Sequence, residues 1–358
     1  MSQDVQKETR GPVGLITLNR PRTLNALSLD MIREIDPLLK EWARDDSIHA
    51  VVIRGEGERA FCAGGDVRAV WDSGRAESGA GAMTRDFFRE EYILNHRVHR
   101  FPKPFVALVD GISMGGGVGL SIHGSHRVVT ERTMFAMPET GIGLVPDIGG
   151  GWFLPRFPGA TGTFLGLTGA RLKSADCLYV GYGTHHVPAD RIEELTVALS
   201  SAPYGDDPHA AIDSVLAEFH VDAGPAPLAD ARDAIDRCFA GDSVESILGA
   251  LEAEGGAWAE EQLSILARLS PTSLRLALRQ IRQGREMSYE EVVTMEYRLS
   301  QGCMAGHDFY EGIRALLVDK DRNPRWNPSA LGDVDQALVD RHFAVPADGD
   351  LVLSPEPA

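Results

Sequence analysis

Cysteine is scarce and unpaired in this chain: Cys62, Cys177, Cys238 and Cys303 are scattered, with no C-x-x-C pair and no metal-ligand spacing. That excludes a disulfide framework and a cysteine-built zinc site, and reduced thiols point to a cytoplasmic protein. Basic residues are outnumbered as well. Lys and Arg total 35 against 52 Asp and Glu, a formal net charge of −17. This balance opposes non-specific binding to nucleic acid or to an anionic membrane. Long apolar runs are missing too: none approaches the roughly 18 residues that cross a bilayer. The start, MSQDVQKETRG, lacks the apolar core of a secretory signal. An anionic ligand would need a local basic patch.

What is present is 43% hydrophobic and 24% charged residues over 358 positions, enough to bury a large core. VGLITLN (13–19), HAVVIRG (49–55), PFVALVDG (104–111) and HRVVTE (126–131) are short, β-branched and apolar, and read as strands. Between the first two, Leu29, Ile32, Ile35, Leu38, Leu39 and Trp42 recur near helical spacing after Ser28, a good N-cap. Pro37 is expected to kink or strain that helix. Strands alternating with helices predict an α/β domain over residues 1–190. The small, polar, glycine-rich stretch 73–84 is expected to be a mobile loop.

Beyond about residue 190 helical patterns take over. Leu274, Ala277, Leu278 and Ile281 make an apolar stripe, and Ser288 with Glu291 makes a capping box. A helical region over 191–345 is expected to cover a site or to mediate assembly into a homo-oligomer, and 346–358 to fray.

The glycine cluster GGGVGL (115–120) completes neither G-x-G-x-x-G nor a P-loop. It leaves a strand, a tight turn and a helix start, which serve either to offer backbone N–H groups to an anion or to allow close packing. AFCAGGDVR (60–68) is a second glycine turn after a strand, so two N–H groups could converge as an oxyanion hole. GISMG (111–115) also fits the nucleophile elbow around Ser113, with Asp147 and His185 or His186 following in the order Ser, Asp, His. No HGGG-type loop precedes it, however. His123 and His126 stand at i, i+3 without an acid to complete a metal set, and read as structural.

AMPETGIGLVPDIGGGWFLP (136–155) sets two carboxylates, Glu139 and Asp147, among glycine, proline and large apolar side chains. Glu139 could be a turn acid, and Asp147 could N-cap a helix running toward Leu154. Equally, apolar surroundings would raise both pKa values toward neutral, which suits acid–base work.

These stretches, with RPRTLNAL (20–27) and PFVALVDGISMGGGVGLSIHGSHRV (104–128), resemble the crotonase (enoyl-CoA hydratase/isomerase) superfamily over almost the whole chain. EEYILN (90–95) and MEYRLSQGCMAGHDFYEGIRALLVDKDRNPRW (295–326) look like its 3-hydroxyisobutyryl-CoA hydrolase subgroup. The resemblance implies a crotonase fold of repeated ββα units with a helical C-terminal region. It implies an acyl-CoA substrate, no separate cofactor and no metal.

By the same resemblance, the N–H groups of Gly65 and Gly116 form the oxyanion hole. Glu139 attacks or activates water, and Asp147 is the second acid. Glu91 becomes a contact at the acyl pocket, Arg22, Ala26 and Leu27 a CoA-binding edge, Ala63 and Asp66 neighbours of the pantetheine path, and Lys320 a phosphate contact. Hydratases of the superfamily use two glutamates, and the first would stand at Gly119, which has no side chain. Enoyl-CoA hydration or isomerisation and a catalytically silent acyl-CoA-binding protein are the alternatives.

Overall fold

A computed structural model describes residues 3–75 and 82–353 of the chain. Nine strands stand among these residues: β1 (Val5–Arg10), β2 (Val13–Leu18), β3 (Ala50–Gly55), β4 (Ala60–Cys62), β5 (Phe105–Val109), β6 (Ile112–Met114), β7 (His126–Val129), β8 (Met134–Ala136) and β9 (His185–His186). They divide between a six-stranded sheet in the order β1-β2-β3-β5-β7-β9 and a three-stranded sheet in the order β4-β6-β8. Only β1 runs antiparallel. Each pair β3–β4, β5–β6 and β7–β8 sends its first strand to the large sheet and its second to the small one. This is the ββα repeat that the sequence resemblance implies.

The four strands expected from the sequence are β2, β3, β5 and β7. They read as near-continuous apolar runs because both faces of the large sheet are buried. Ile16, Val51, Ile53 and Ala107 face the main core. Val13, Leu15, Val52, Val106 and Leu108 face a second core with Leu195, Leu199, Ile212 and Leu216. The helices Ile192–Ser200 and Pro208–Phe219 therefore cover the back of the sheet, and the C-terminal helices that reach the site come later in the chain.

On the front, Ser28 accepts a hydrogen bond from Met31 N and starts the helix Leu29–Arg44, whose apolar positions are all at least half-buried. Pro37 lies inside that continuous helix on its exposed face. There the carbonyl that loses its partner can turn to water, so the proline is tolerated. The stretch expected to be a loop is shorter than 73–84: Ser73 and Gly74 end the helix Val67–Gly74, and Met83 and Thr84 lie in the helix Ala82–His99. Its middle lies outside the described residues.

The apolar stripe Leu274, Ala277, Leu278 and Ile281 is buried in the helix Pro271–Gly284, and Ser288 and Glu291 form a reciprocal capping box on the helix Tyr289–Ala305. In the segment expected to fray, Asp350 pairs with Arg298 and Leu351 is buried. No helix among the described residues is long and apolar enough to cross a membrane.

Candidate active site

The small sheet sets the site. Its three strands are parallel, with a register shift between Ala60 and Cys62 in β4, and the loops leaving their C-terminal ends emerge on the same side, the usual ligand position in such sheets. They carry Ala63–Gly65 after β4, Gly115–Gly116 after β6 and Pro138–Glu139 after β8.

The first loop is held by the chain before it. Ala63 N donates to Leu24 O, Leu27 N to Gly64 O, and Asp66 N to Leu27 O. In the second, Gly115 has φ 45°, which turns the strand into the helix Gly116–Ile122 and favours glycine. A Cβ on Gly116 would lie 3.3 Å from Gly65 N and 2.4 Å from Glu91 Oε1. The two glycines are thus neighbours, and a carboxylate stands directly over them.

Glu139 opens a 3₁₀ turn, Glu139–Ile142, anchored where Thr140 Oγ1 donates 3.0 Å to Leu167 O. Its Oε1 lies 3.2 Å from the point where Gly115 would carry a Cβ, and its Oε2 is buried with no hydrogen-bond partner. Glu91 comes from the helix Ala82–His99, also with an unpartnered buried oxygen. Asp147 does not cap the helix that follows it. That helix begins at Gly150, and Asp147 Oδ2 instead accepts 2.9 Å from the Tyr92 hydroxyl.

The three carboxylates share one cavity of about 450 Å³ whose other walls include Phe87, Phe88, Met114, Ile142, Leu144 and Ile313. Glu91 and Glu139 are pushed well above the ordinary carboxylate range by burial first and by repulsion from Asp147 second. Asp147 rises only to about 6, because burial is opposed by the hydrogen bond from Tyr92. In this apolar pocket Asp147 takes up negative charge most readily, and its neighbours hold protons at higher pH.

Gly119 faces away from empty space. A Cβ there would meet Asn95 Nδ2 at 2.7 Å and Ile148 Cβ at 3.0 Å. The place of a second hydratase glutamate is filled by the fully buried Asn95.

Of the residues singled out in the sequence, Gly65, Gly116, Glu91, Glu139, Asp147 and Ala63 line the cavity. Arg22, Ala26, Leu27, Asp66 and Lys320 do not. Arg22 and Lys320 are exposed. Leu27 bridges to Gly65, Ala26 accepts from Arg20 through its carbonyl, and Asp66 pairs with Arg20 at 3.0 Å while capping the helix Val67–Gly74. These last three support the first loop from behind.

The Ser113 constellation does not assemble. Its buried hydroxyl accepts from Tyr182, Asp147 bonds Tyr92, and His185 bonds Thr184. His123 and His126 are hydrogen-bonded within the fold, to Ile148 O and to Ser125 and Asp213. Sequence reasoning missed Phe87 and Phe88, four residues before Glu91 and Tyr92 on the same helix, a spacing that was there to be read. It also missed Arg171, the one basic side chain among the described residues lining the cavity, which carries no local signal.

The sequence profile of the enoyl-CoA hydratase/isomerase family matches residues 13–343. The chain belongs to that family. Within it, the chain is 52% identical to a "3-hydroxyisobutyryl-CoA hydrolase, mitochondrial" of Danio rerio, over 98% of this chain and 92% of the relative. It is 46% identical to the human protein of the same name, over 98% and 91%.

Two solved structures of the family are also similar. One, a carnitinyl-CoA dehydratase from Mycobacterium thermoresistibile, gives a TM-score of 0.92 at 42% identity, over 99% of this chain and all of that one. The other, an enoyl-CoA hydratase from Rhodobacter sphaeroides, gives 0.89 at 40%, over 98% and 100%. The curated relatives are named mitochondrial, and this overturns the cytoplasmic expectation. The thiols on which that expectation rested are all buried, so they are shielded in any compartment and do not report one.

Proposed function

We propose that the chain hydrolyses 3-hydroxyisobutyryl-CoA to 3-hydroxyisobutyrate and CoA, a step in valine breakdown. The observation that carries this is the acid set: Glu139 and Asp147 in one cavity with Glu91, and no room at Gly119 for the glutamate that would make a hydratase pair. The relatives' shared name supports the same reading. The names of the two solved structures favour hydration or dehydration, and the crowding at Gly119 speaks against it.

In this reading the thioester carbonyl oxygen accepts the N–H groups of Gly65 and Gly116, which stabilise the charge that develops on it during attack. Glu139 drives the attack on the carbonyl. Either its carboxylate attacks the carbonyl carbon, giving a mixed anhydride that water then opens, or it takes a proton from the water that attacks. In both routes the C–S bond breaks and the thiolate leaves with a proton. Asp147 holds the substrate's 3-hydroxyl or delivers that proton. A hydroxyl bound in this way lets the site reject acyl groups that lack it. Arg171 at the rim is the cation that meets the anionic CoA.

Thiol release from 3-hydroxyisobutyryl-CoA by wild type, Glu139→Gln and Asp147→Asn tests the assignment. Glu139→Gln should lower turnover by about 10³-fold, within the range for a lost acid–base group, and Asp147→Asn should also slow it. Unchanged hydrolysis in both variants would overturn the reading.

A further inference from the structure

Within the loop that carries Asp147, Gly150 N donates to Asp147 O at 2.8 Å. Ile148 has φ 54° although its side chain is β-branched and fully buried, a backbone state that persists only when the surroundings enforce it. The enforcement comes from far along the chain. His123 Nε2 lies 2.7 Å from Ile148 O. Glu296, fully buried in the helix Tyr289–Ala305, accepts from Gly149 N at 2.6 Å on one carboxylate oxygen and from Gly151 N at 2.8 Å on the other. Gln280, from the helix Pro271–Gly284, donates to Glu296 Oε1 at 2.9 Å and also to Pro146 O. The backbone is therefore gripped on both sides of Asp147, at Pro146 and at Gly149.

We infer that Glu296, seated by Gln280, is a positioning residue for the reaction: it fixes the Asp147 loop against the acyl pocket, and through it the C-terminal helices complete the active site. This rests on the reading that Asp147 works on the substrate. A carboxylate suits the task where an amide does not. All three hydrogen bonds of Glu296 arrive from donors, and only a carboxylate offers an acceptor on both oxygens.

Burial pushes the Glu296 carboxyl up to about 8, yet a proton on either oxygen would face one of those donors, so the geometry favours the ionised form. The titratable groups that share its field are Asp147 and Glu139 at the pocket, Tyr92 from the helix Ala82–His99, and Tyr289. Its charge helps to keep Glu139 raised.

The test is Glu296→Gln in the full chain, assayed with 3-hydroxyisobutyryl-CoA. The amide turns a donor toward Gly149 N, Gly151 N or Gln280, and small misplacement of a reacting group costs up to about 10²-fold in rate. The expected result is kcat lowered about 10- to 100-fold, KM within about threefold because the CoA contacts are untouched, and the acidic limb of the kcat/KM profile moved to lower pH. In an Asp147→Asn background the same change should cost no further kcat. A variant that melts earlier but keeps kcat and the pH limb overturns the inference, as does a full additional loss in the Asp147→Asn background.

Asp147→Asn with undiminished turnover is a different failure, that of the functional reading itself. Gln280→Leu keeps the volume and removes both donated bonds, so it covers the case in which Glu296→Gln does not fold. It should lower kcat in the same direction and by less, and an unchanged kcat would count against the inference.

Discussion

Glu139 and Asp147 lie eight residues apart in the sequence, yet they are set in place by different parts of the molecule. Glu139 leaves the end of β8, beside the turns that carry Gly65 and Gly116, and its own turn is pinned to Leu167 nearby. Asp147 sits in a strained loop whose clamps, Gln280 and Glu296, are more than 130 residues further on. One half of the site is thus built by the ββα core, and the other is finished by the C-terminal helices. In the proposed reaction the core supplies the oxyanion hole and the first acid, and the distant helices fix the second acid.

Gly116→Ala strikes the core-built half at its glycine turns. The new Cβ would lie 2.4 Å from Glu91 Oε1 and 3.3 Å from Gly65 N, so it intrudes between the acid and the paired glycines. Turnover should fall about 10²- to 10³-fold, the range for a lost oxyanion donor, while the Asp147 loop keeps its contacts. Steady-state thiol release checks this, and a change under fivefold would mean that the carbonyl does not sit there.

Gly119→Glu tries to restore the hydratase pair at the seam between the halves. Asn95 and Ile148 block the side chain, so the variant should lose about 1–3 kcal/mol in denaturant melts through overpacking and gain no hydration of crotonyl-CoA. Clear hydration by a stable variant would show that the two halves are less constrained than described.

The pH profile separates the two acids. Glu139 must be ionised to act, and its folded-state pKa is raised, so kcat/KM should fall as pH drops through a limb above the ordinary carboxylate value. Asp147→Asn removes one source of that rise, so the activity that remains should show its acidic limb at lower pH. The sign for stability is opposite to that of an ion-paired acid. The folded protein holds the Glu139 proton between the unfolded and the raised folded pKa, so stability falls as pH increases through that window. Glu139→Gln should therefore melt higher than wild type at neutral pH, as catalytic acids held against their solvation often do.

The smallest effect is expected at Thr140→Val, which removes only the local anchor of the Glu139 turn. It should cost about 1 kcal/mol in stability and leave turnover within about threefold. A loss as large as that of Glu296→Gln would erase the contrast between the two acids.

This contrast also marks what the sequence made legible. The glycine turns and Glu139 were readable because each lies in a short stretch whose turn chemistry is local, whereas the missing side chain at Gly119 took its meaning from the family resemblance. The interior strands were readable because burial on both faces writes continuous apolar runs. Asp147 was readable as an acid in apolar company, but its alternative as a helix cap was equally open from spacing alone.

What closed that alternative is the Tyr92 hydroxyl bond to Asp147, while Glu296 meets the N–H groups of Gly149 and Gly151 from 147 and 145 residues away. No periodicity in a single chain announces such a pairing. Leu27 and Asp66 show the same limit from the other side. They stand beside the site in sequence, while their backbone and side-chain bonds support the first loop from behind.

In the proposed function this acid set cleaves thioesters and does not add water to double bonds. Offering the wild-type protein 3-hydroxyisobutyryl-, 3-hydroxypropionyl- and crotonyl-CoA, and following free thiol and acyl products together, tests it most directly. The expected result is thiol release from the hydroxylated thioesters, with the product acid accumulating in step, and no hydration of crotonyl-CoA. Conversion of crotonyl-CoA to its hydroxyacyl thioester with no free CoA from any of the three would contradict it.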